Sequence, residues 1–260
     1  MGRLSGRVAF VTGAARGLGR SHIARLAEDG ADIIAVDLED PADALFREAI
    51  QSVQTKGREI VACQADVRDA DALNDAVRTA IQRLGRIDIV VANAGSMPAA
   101  APFLEQPPSS LKHAIETNVF GTWHTCQATI PAMIDANRGG SIVLIGSTLS
   151  FRALSGVSAY VTSKHAIIGL AKSLALEFGS HRIRVNSVHP TAVETPMLRS
   201  VAPPDVSYDR FKADLRALHP MPIDCLDPVD ISNAVAFLAS DDAEFITGAA
   251  LPVDAGMLLQ

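Results

Sequence analysis

Short runs of consecutive apolar residues alternate along the chain with longer stretches in which apolar and polar positions recur at helical spacing. The runs are RVAFVT (7–12), DIIAVD (32–37), EIVACQAD (59–66), IDIVVANAG (87–95), GSIVLIGS (140–147), IRVNSVHP (183–190) and AALPVD (249–254). Nearly unbroken apolar strands of this kind predict a parallel sheet covered on both faces. Gly30, Gly57, Gly85 and Gly179 stand where the intervening helices should stop, as C-cap glycines do, and Asp227-Pro228 reads as an N-cap followed by proline at the first helical position. The pattern continues through all 260 residues without repeats or a low-complexity linker. It predicts one α/β domain over 1–260, a doubly wound parallel sheet of about seven strands with helices on both faces.

One segment departs from the alternation. Residues 191–227, TAVETPMLRSVAPPDVSYDRFKADLRALHPMPIDCLD, are proline-rich and too long for a plain strand-to-helix connection. A segment of that length in a compact domain predicts a functional lid.

Composition narrows the function classes. Hydrophobic residues make up 48% and charged residues 20%, enough apolar material for a large core. The net charge is −6, from 23 basic and 29 acidic residues with no basic block, which argues against nucleic acid or an anionic membrane as partner. Cys63, Cys126 and Cys225 are far apart and odd in number, there is no C-x-x-C, and the seven histidines show no ligand-like pairing, so no metal site is expected. Free thiols, an N-terminus lacking a signal-peptide core and the absence of a long apolar run predict a cytoplasmic protein.

The candidate chemistry begins at VTGAARGLGR, between the first strand and the first helix. Gly13, Gly17 and Gly19 are spaced G-x-x-x-G-x-G, which lets backbone N–H groups approach a pyrophosphate at a positive helix N-terminus. Asp37 ends the second strand, where a carboxylate accepts hydrogen bonds from an adenosine ribose and repels a 2′-phosphate, which favours NAD over NADP. Arg16, a cation in the turn, pulls the other way. Asn93-Ala94-Gly95 and Ser147 end the fourth and fifth strands at the edge where ligands of open α/β sheets bind. Tyr160 precedes Lys164 by about one helical turn, so both side chains leave one helix face. On spacing alone that pair reads as an ordinary helix surface.

Taken together these residues resemble the short-chain dehydrogenases/reductases. The resemblance covers essentially the whole chain: Thr12-Gly13 with Gly17 and Gly19, Asp66-Val67, Asn93-Ala94-Gly95, Asn118, Ser147, Tyr160 with Lys164, and Pro190 with Thr195, in the family's order and approximate spacing. It implies a Rossmann-type fold and roles for each residue. Tyr160 would be the general acid/base, its pKa lowered from roughly 10 by Lys164 and a cationic nicotinamide. Lys164 would also hydrogen-bond the nicotinamide ribose, Ser147 would hold the reacting oxygen, and Asn118 would interrupt its helix and hold a water linking Lys164 to solvent. The turn with Arg16 and Leu18 would take the pyrophosphate, Asp37 and Leu38 the adenosine end, Asp66 and Val67 the adenine, and Asn93, Ala94 and Gly95 the adenosine ribose. Val193 and Thr195 would anchor the carboxamide, with Pro190 a further cofactor-binding residue. Many members have glycine after that proline; here it is Thr191, which narrows the backbone choices.

The stretch HPTAVETPM also resembles a carveol-dehydrogenase-like subgroup, some members of which are associated with the redox carrier mycofactocin. Such members often carry extra residues after the second strand; the interval from Asp37 to Asp66 has little room for them, which weighs against dependence on that carrier. The resemblance further implies a homotetramer formed through the long helices near 109–137 and 155–179 and the C-terminal segment. Ser96, Met97, Leu149, Val157, Met197, Leu198, Phe211 and Leu215 are the candidate substrate pocket. With no arginine cluster among them, they suggest a neutral hydrophobic alcohol or ketone, terpenoid, steroid or cyclic. The alternatives are an NADP-linked carbonyl reductase and a dinucleotide-binding sensor or scaffold without turnover.

Overall fold

The structure, a computed structural model, describes residues 2–260. Its elements run β1 (Val8–Thr12), α1 (Gly17–Glu28), β2 (Asp32–Asp37), α2 (Ala44–Gln54), β3 (Ile60–Gln64), α3 (Ala70–Leu84), β4 (Ile89–Ala92), α4 (Pro108–Ala114), a π-helical turn (Ile115–Phe120), α5 (Gly121–Ala136), β5 (Gly140–Ile145), α6 (Ser158–Phe178), β6 (Ile183–Pro190), α7 (Pro196–Ser200), α8 (Tyr208–Leu215), α9 (Pro228–Ala239) and β7 (Ala250–Val253). The seven strands form one parallel sheet in the order β3-β2-β1-β4-β5-β6-β7.

The apolar runs are strands because both of their faces are covered. Ala9 and Val11 of β1 pack with Ile33, Ile89 and Val143 under α1, α2 and α9. Val8 and Phe10 pack with Ile34, Val90 and Ile142 under α3, α5 and α6. Residues of alternate parity thus feed two separate cores, which is why no polar alternation shows in the sequence. The order reverses direction between β1 and β4, so the ends of those strands open a crevice at the switch point.

Two expectations need correction. The fourth strand stops at Ala92, not Gly95, and the fifth at Ile145, not Ser147. After Ala92 the backbone leaves the sheet because the N–H groups of Asn93 and Ala94 both donate to Thr12 Oγ1 at 3.1 Å, while Asn93 Nδ2 donates to the Thr12 carbonyl at 2.9 Å and to the Gly13 carbonyl at 3.2 Å. Gly30, Gly57 and Gly85 do lie just past their helices at φ 99°, 70° and 77°. Gly179 instead keeps right-handed helical geometry at φ −57°, and the reversal comes at Arg182, φ 57°, after an intervening 3₁₀ turn. Asp227 and Pro228 do take the N-cap and first helical positions of α9, and Asp230 Oδ2 accepts from the Asp227 N–H at 3.0 Å. No helix among the described residues is long and apolar enough to cross a membrane.

The excursion at 191–227 is closed at its base by a parallel bridge between Val193 and Leu226. It carries α7 and α8, neither of which has a buried residue. Thr191 fits without backbone strain, since it is absent from the positive-φ residues. Its Oγ1 meets Nε2 of His219 at 2.8 Å and Sδ of Met257 at 3.0 Å, joining lid, β6 and C-terminal tail.

Candidate active site

The strand ends, the glycine turn and the lid enclose a cavity of about 830 Å³. At one end lies the N-terminus of α1, whose N-cap Arg16 makes no side-chain capping bond. The amides of the first turn are therefore left for a ligand, and Gly17 and Leu18 line the cavity. Gly13 and Gly17 sit at φ 66° and 54°. A Cβ on Gly19 would lie 1.9 Å from the Gly13 carbonyl oxygen, so only glycine lets the helix pack against the turn. This cradle fits a pyrophosphate.

Asp37 is buried behind the turn. Its Oδ2 accepts from the Ala15 N–H at 2.8 Å and its Oδ1 from the Glu39 N–H at 3.1 Å. A carboxylate has about four lone-pair sites, so acceptor capacity remains for a ribose diol. Leu38 lies 62% exposed on the wall, an apolar surface on which a flat base can rest. Asp66 is paired with Arg68, whose Nε lies 2.9 Å from Oδ2, and that side-chain hydrogen bond is the main reason the Asp66 carboxyl is lowered. Val67 is held by His124 and packs on Gly121, where a Cβ would lie 2.5 Å from Cγ2 of Val67.

Ser147, Tyr160 and Lys164 line the other half of the cavity. Ser147 follows β5, and its Oγ accepts from the Leu149 N–H at 3.1 Å. Tyr160 and Lys164 lie in the first turns of α6, 8% and 5% exposed. Lys164 Nζ donates to the Ile145 carbonyl at 2.9 Å and lies 5.6 Å from the centre of the Tyr160 ring. Asn118 sits in the π-helical turn, as the expected local interruption requires. Its Oδ1 accepts from the Ser96 N–H at 2.8 Å, and its Nδ2 donates to the Ser96 carbonyl and to Ser163 Oγ, both at 2.9 Å. Asn118 Oδ1 and Lys164 Nζ converge on Gly95, lying 3.2 and 3.5 Å from where a Cβ on that glycine would stand.

The electrostatics differ from expectation. Burial pushes the Tyr160 phenol up to about 12, and Ser147 beside it opposes this only in part. Burial pulls Lys164 down to about 8. The lowered phenol pKa is thus not a property of the protein groups alone. Lys164 spends a donor on the Ile145 carbonyl, and burial, which disfavours the phenolate, is the largest influence on the phenol.

All eight candidate pocket residues line the cavity, as do the cofactor candidates apart from Gly19, which supports the turn from behind. Asn118 also stands outside the lining, behind Ser96 and Gly95. The sequence reading missed His189. Its ring, wholly buried, has Nδ1 3.1 Å from the Ser147 carbonyl and Nε2 2.8 Å from Ser187 Oγ. A carbonyl can only accept, so Nδ1 carries the proton, and burial lowers the ring's pKa to about 4, keeping it neutral. The signal was available: Ser187 and His189 share parity on one strand, so both point to one face. Arg68, two residues after Asp66, was also missed.

The pattern of the family described as enoyl-(acyl carrier protein) reductase matches residues 13–258. The (−)-trans-carveol dehydrogenase of Rhodococcus erythropolis is 42% identical over 280 aligned positions, covering 100% of each chain. Among solved structures, the carveol dehydrogenase of Mycobacterium avium in complex with NAD superposes with a TM-score of 0.95 at 42% identity, covering 100% of both chains. A short-chain dehydrogenase from Mycobacterium paratuberculosis bound to NAD gives 0.90 at 40% identity, again covering 100% of both.

Proposed function

The chain belongs to the short-chain dehydrogenase/reductase family, and from that premise we propose that it is an NAD-dependent oxidoreductase acting on a hydrophobic secondary alcohol or its ketone, cyclic and terpenoid-like, with Tyr160 as general acid/base. The observation that carries this reading is the convergence of Ser147, Tyr160 and Lys164 with an apolar wall in one cavity that ends at an uncapped helix N-terminus. The relatives named as carveol dehydrogenases, one of them crystallised with NAD, support the cyclic alcohol and the cofactor.

The cofactor, when bound, supplies the hydride acceptor and a positive charge. The chain supplies the proton path and the orientation. Ser147 Oγ hydrogen-bonds the substrate oxygen and holds it at the phenol. In oxidation the Tyr160 phenolate takes the hydroxyl proton; in reduction the phenol returns it to the carbonyl oxygen. Lys164, with donors beyond the one given to Ile145, stabilises the phenolate and binds the nicotinamide ribose. Asn118 fixes Ser96 and borders Lys164, the position from which a bound water passes the proton outward. Val193 and Thr195 hold the carboxamide, and Asp37 selects the unphosphorylated ribose. Met97, Leu149, Val157, Met197, Leu198 and Phe211 give the substrate an apolar enclosure without a cation to attract a carboxylate.

Phe120 at the end of the π-helical turn, Trp123 on α5 and Leu176 on α6 are 51%, 47% and 87% exposed, and we assign them to contacts between copies in a homotetramer. Light scattering tests this, and a monomer overturns it. The activity is tested by following reduced-nicotinamide absorbance with cyclic and open-chain secondary alcohols, each with NAD and with NADP. Turnover of cyclic alcohols with NAD, at least about tenfold above NADP, is expected. No turnover of any alcohol or ketone contradicts the catalytic reading, and faster NADP turnover contradicts the role of Asp37.

A further inference from the structure

We infer that Glu194 is the outer latch of the substrate lid, a positioning residue that fixes the apolar wall contributed by α7 and α8 without touching substrate or cofactor. The stem of the lid is the bridge between Val193 and Leu226. Val193 and Thr195 line the cofactor and substrate cavity, whereas Glu194 between them does not; it lines an outer groove with Arg199, Lys212 and Cys225. Its backbone closes the base of the excursion, the Glu194 N–H donating to the Leu226 carbonyl at 2.9 Å while the Leu226 N–H donates to Ala192 at 3.0 Å.

Four donors from three parts of the lid then converge on this one carboxylate. Arg199 Nη2, from α7, lies 2.7 Å from Oε1, and the Tyr208 hydroxyl, from α8, lies 2.8 Å from the same oxygen. Lys212 Nζ, one turn further along α8, lies 3.1 Å from Oε2, and the Cys225 thiol lies 3.8 Å from it. Arg199 and Lys212 also lie over the Tyr208 ring, 4.2 and 5.1 Å from its centre. Glu194 therefore ties both short helices to the stem. Those helices hold no buried residue of their own, so apolar packing alone does not fix them. Burial would raise the Glu194 carboxyl, but the hydrogen bonds from Tyr208 and Lys212 and the nearby cations outweigh it and hold the group below the usual carboxylate range.

The consequence reaches the pocket because the same helices carry cavity residues on their inner side. Met197 and Leu198 follow Thr195 on α7, and Phe211 and Leu215 alternate with Lys212 on α8. An isolated surface ion pair contributes little, but charge-assisted bonds gathered on one acceptor are stronger than neutral ones and act together. The stem that holds the carboxamide side of the site thus also sets the position of the substrate wall.

The inference rests on the proposed dehydrogenase reading only for its kinetic arm. Glu194→Gln keeps the shape and removes the charge. Hydrogen–deuterium exchange of the full chain is expected to show about tenfold faster exchange over 208–215 in this variant, with β5 and α6 unchanged. In turnover, KM for the hydrophobic alcohol is expected to rise about tenfold while kcat and the NAD dissociation constant stay within about twofold. Lys212→Met is expected to give a smaller effect, and the double variant less than the sum of the two. Unchanged exchange over 208–215 overturns the latch. Faster exchange with an unchanged KM overturns its link to the pocket. If the unsubstituted protein oxidises no alcohol, the functional reading falls, and the exchange result still decides the latch.

Discussion

The two walls of the cavity are held by different forces. On one side Tyr160, Lys164 and Asn118 are 8%, 5% and 1% exposed, fixed by backbone carbonyls, a π-helical turn and the packing of α6 on the sheet. On the other, α7 and α8 bury no residue and are tied down by charges around Glu194. The buried wall can shift the pKa of its groups, because desolvation there is strong, and it tolerates little movement. The 191–227 excursion lies at the surface and can be remodelled without disturbing the proposed proton-transfer groups on the other wall. Under the proposed function, reaction type resides in the first wall and substrate choice in the second.

Substitutions in the buried wall should stop chemistry and leave the lid alone. Ser147→Ala is expected to lower turnover about a thousandfold, measured by steady-state kinetics, with unchanged exchange over 208–215. A lid that loosened as well would break the separation. Gly19→Ala, whose Cβ would stand 1.9 Å from the Gly13 carbonyl, should weaken NAD binding about a hundredfold in a titration, through displacement of α1. Asp37→Ala should bring the NAD-to-NADP ratio of kcat/KM down about tenfold or more, even though it also frees the Ala15 N–H.

The smallest effect sharpens the same contrast through acid stability. Burial lowers His22 to about 3 and His189 to about 4, so below about 6.5 the unfolded chain binds protons that the folded one refuses. Their stabilising contribution is therefore complete above about pH 6.5 and lost progressively as pH falls toward those lower values. His22→Asn, which can retain the bond to Ser232 at the position of Nδ1, should move the acid-unfolding midpoint to lower pH, as read by circular dichroism. An unchanged midpoint would remove His22 from the account.

How much of this was legible in the sequence follows the same division. The strands were readable because burial on both faces leaves contiguous apolar runs, and the glycine turn because its backbone geometry excludes other residues. Tyr160 and Lys164 were readable as a pair from helical spacing, and as a candidate site only through the family resemblance that Ser147, Asn118 and the glycine turn carry. The direction of the Tyr160 shift was not readable, because the burial that raises it, opposed by the Ser147 hydrogen bond, arises only once the chain is folded. The Glu194 cluster was hidden for a similar reason: its donors, Arg199, Tyr208, Lys212 and Cys225, span a segment whose path local pattern does not fix. The end of β4 was misplaced because the backbone N–H groups of Asn93 and Ala94 exchange sheet bonding for the Thr12 hydroxyl.

Tyr160→Phe separates proton transfer from everything else in the cavity, since it removes one hydroxyl and leaves the ring packed. Single-turnover formation of reduced nicotinamide, measured beside NAD affinity, is expected to fall about a thousandfold or more in the variant, with the dissociation constant within about twofold of the unsubstituted protein. A variant that binds NAD equally well and still reduces it at the original rate would contradict the assignment of Tyr160 as the acid/base.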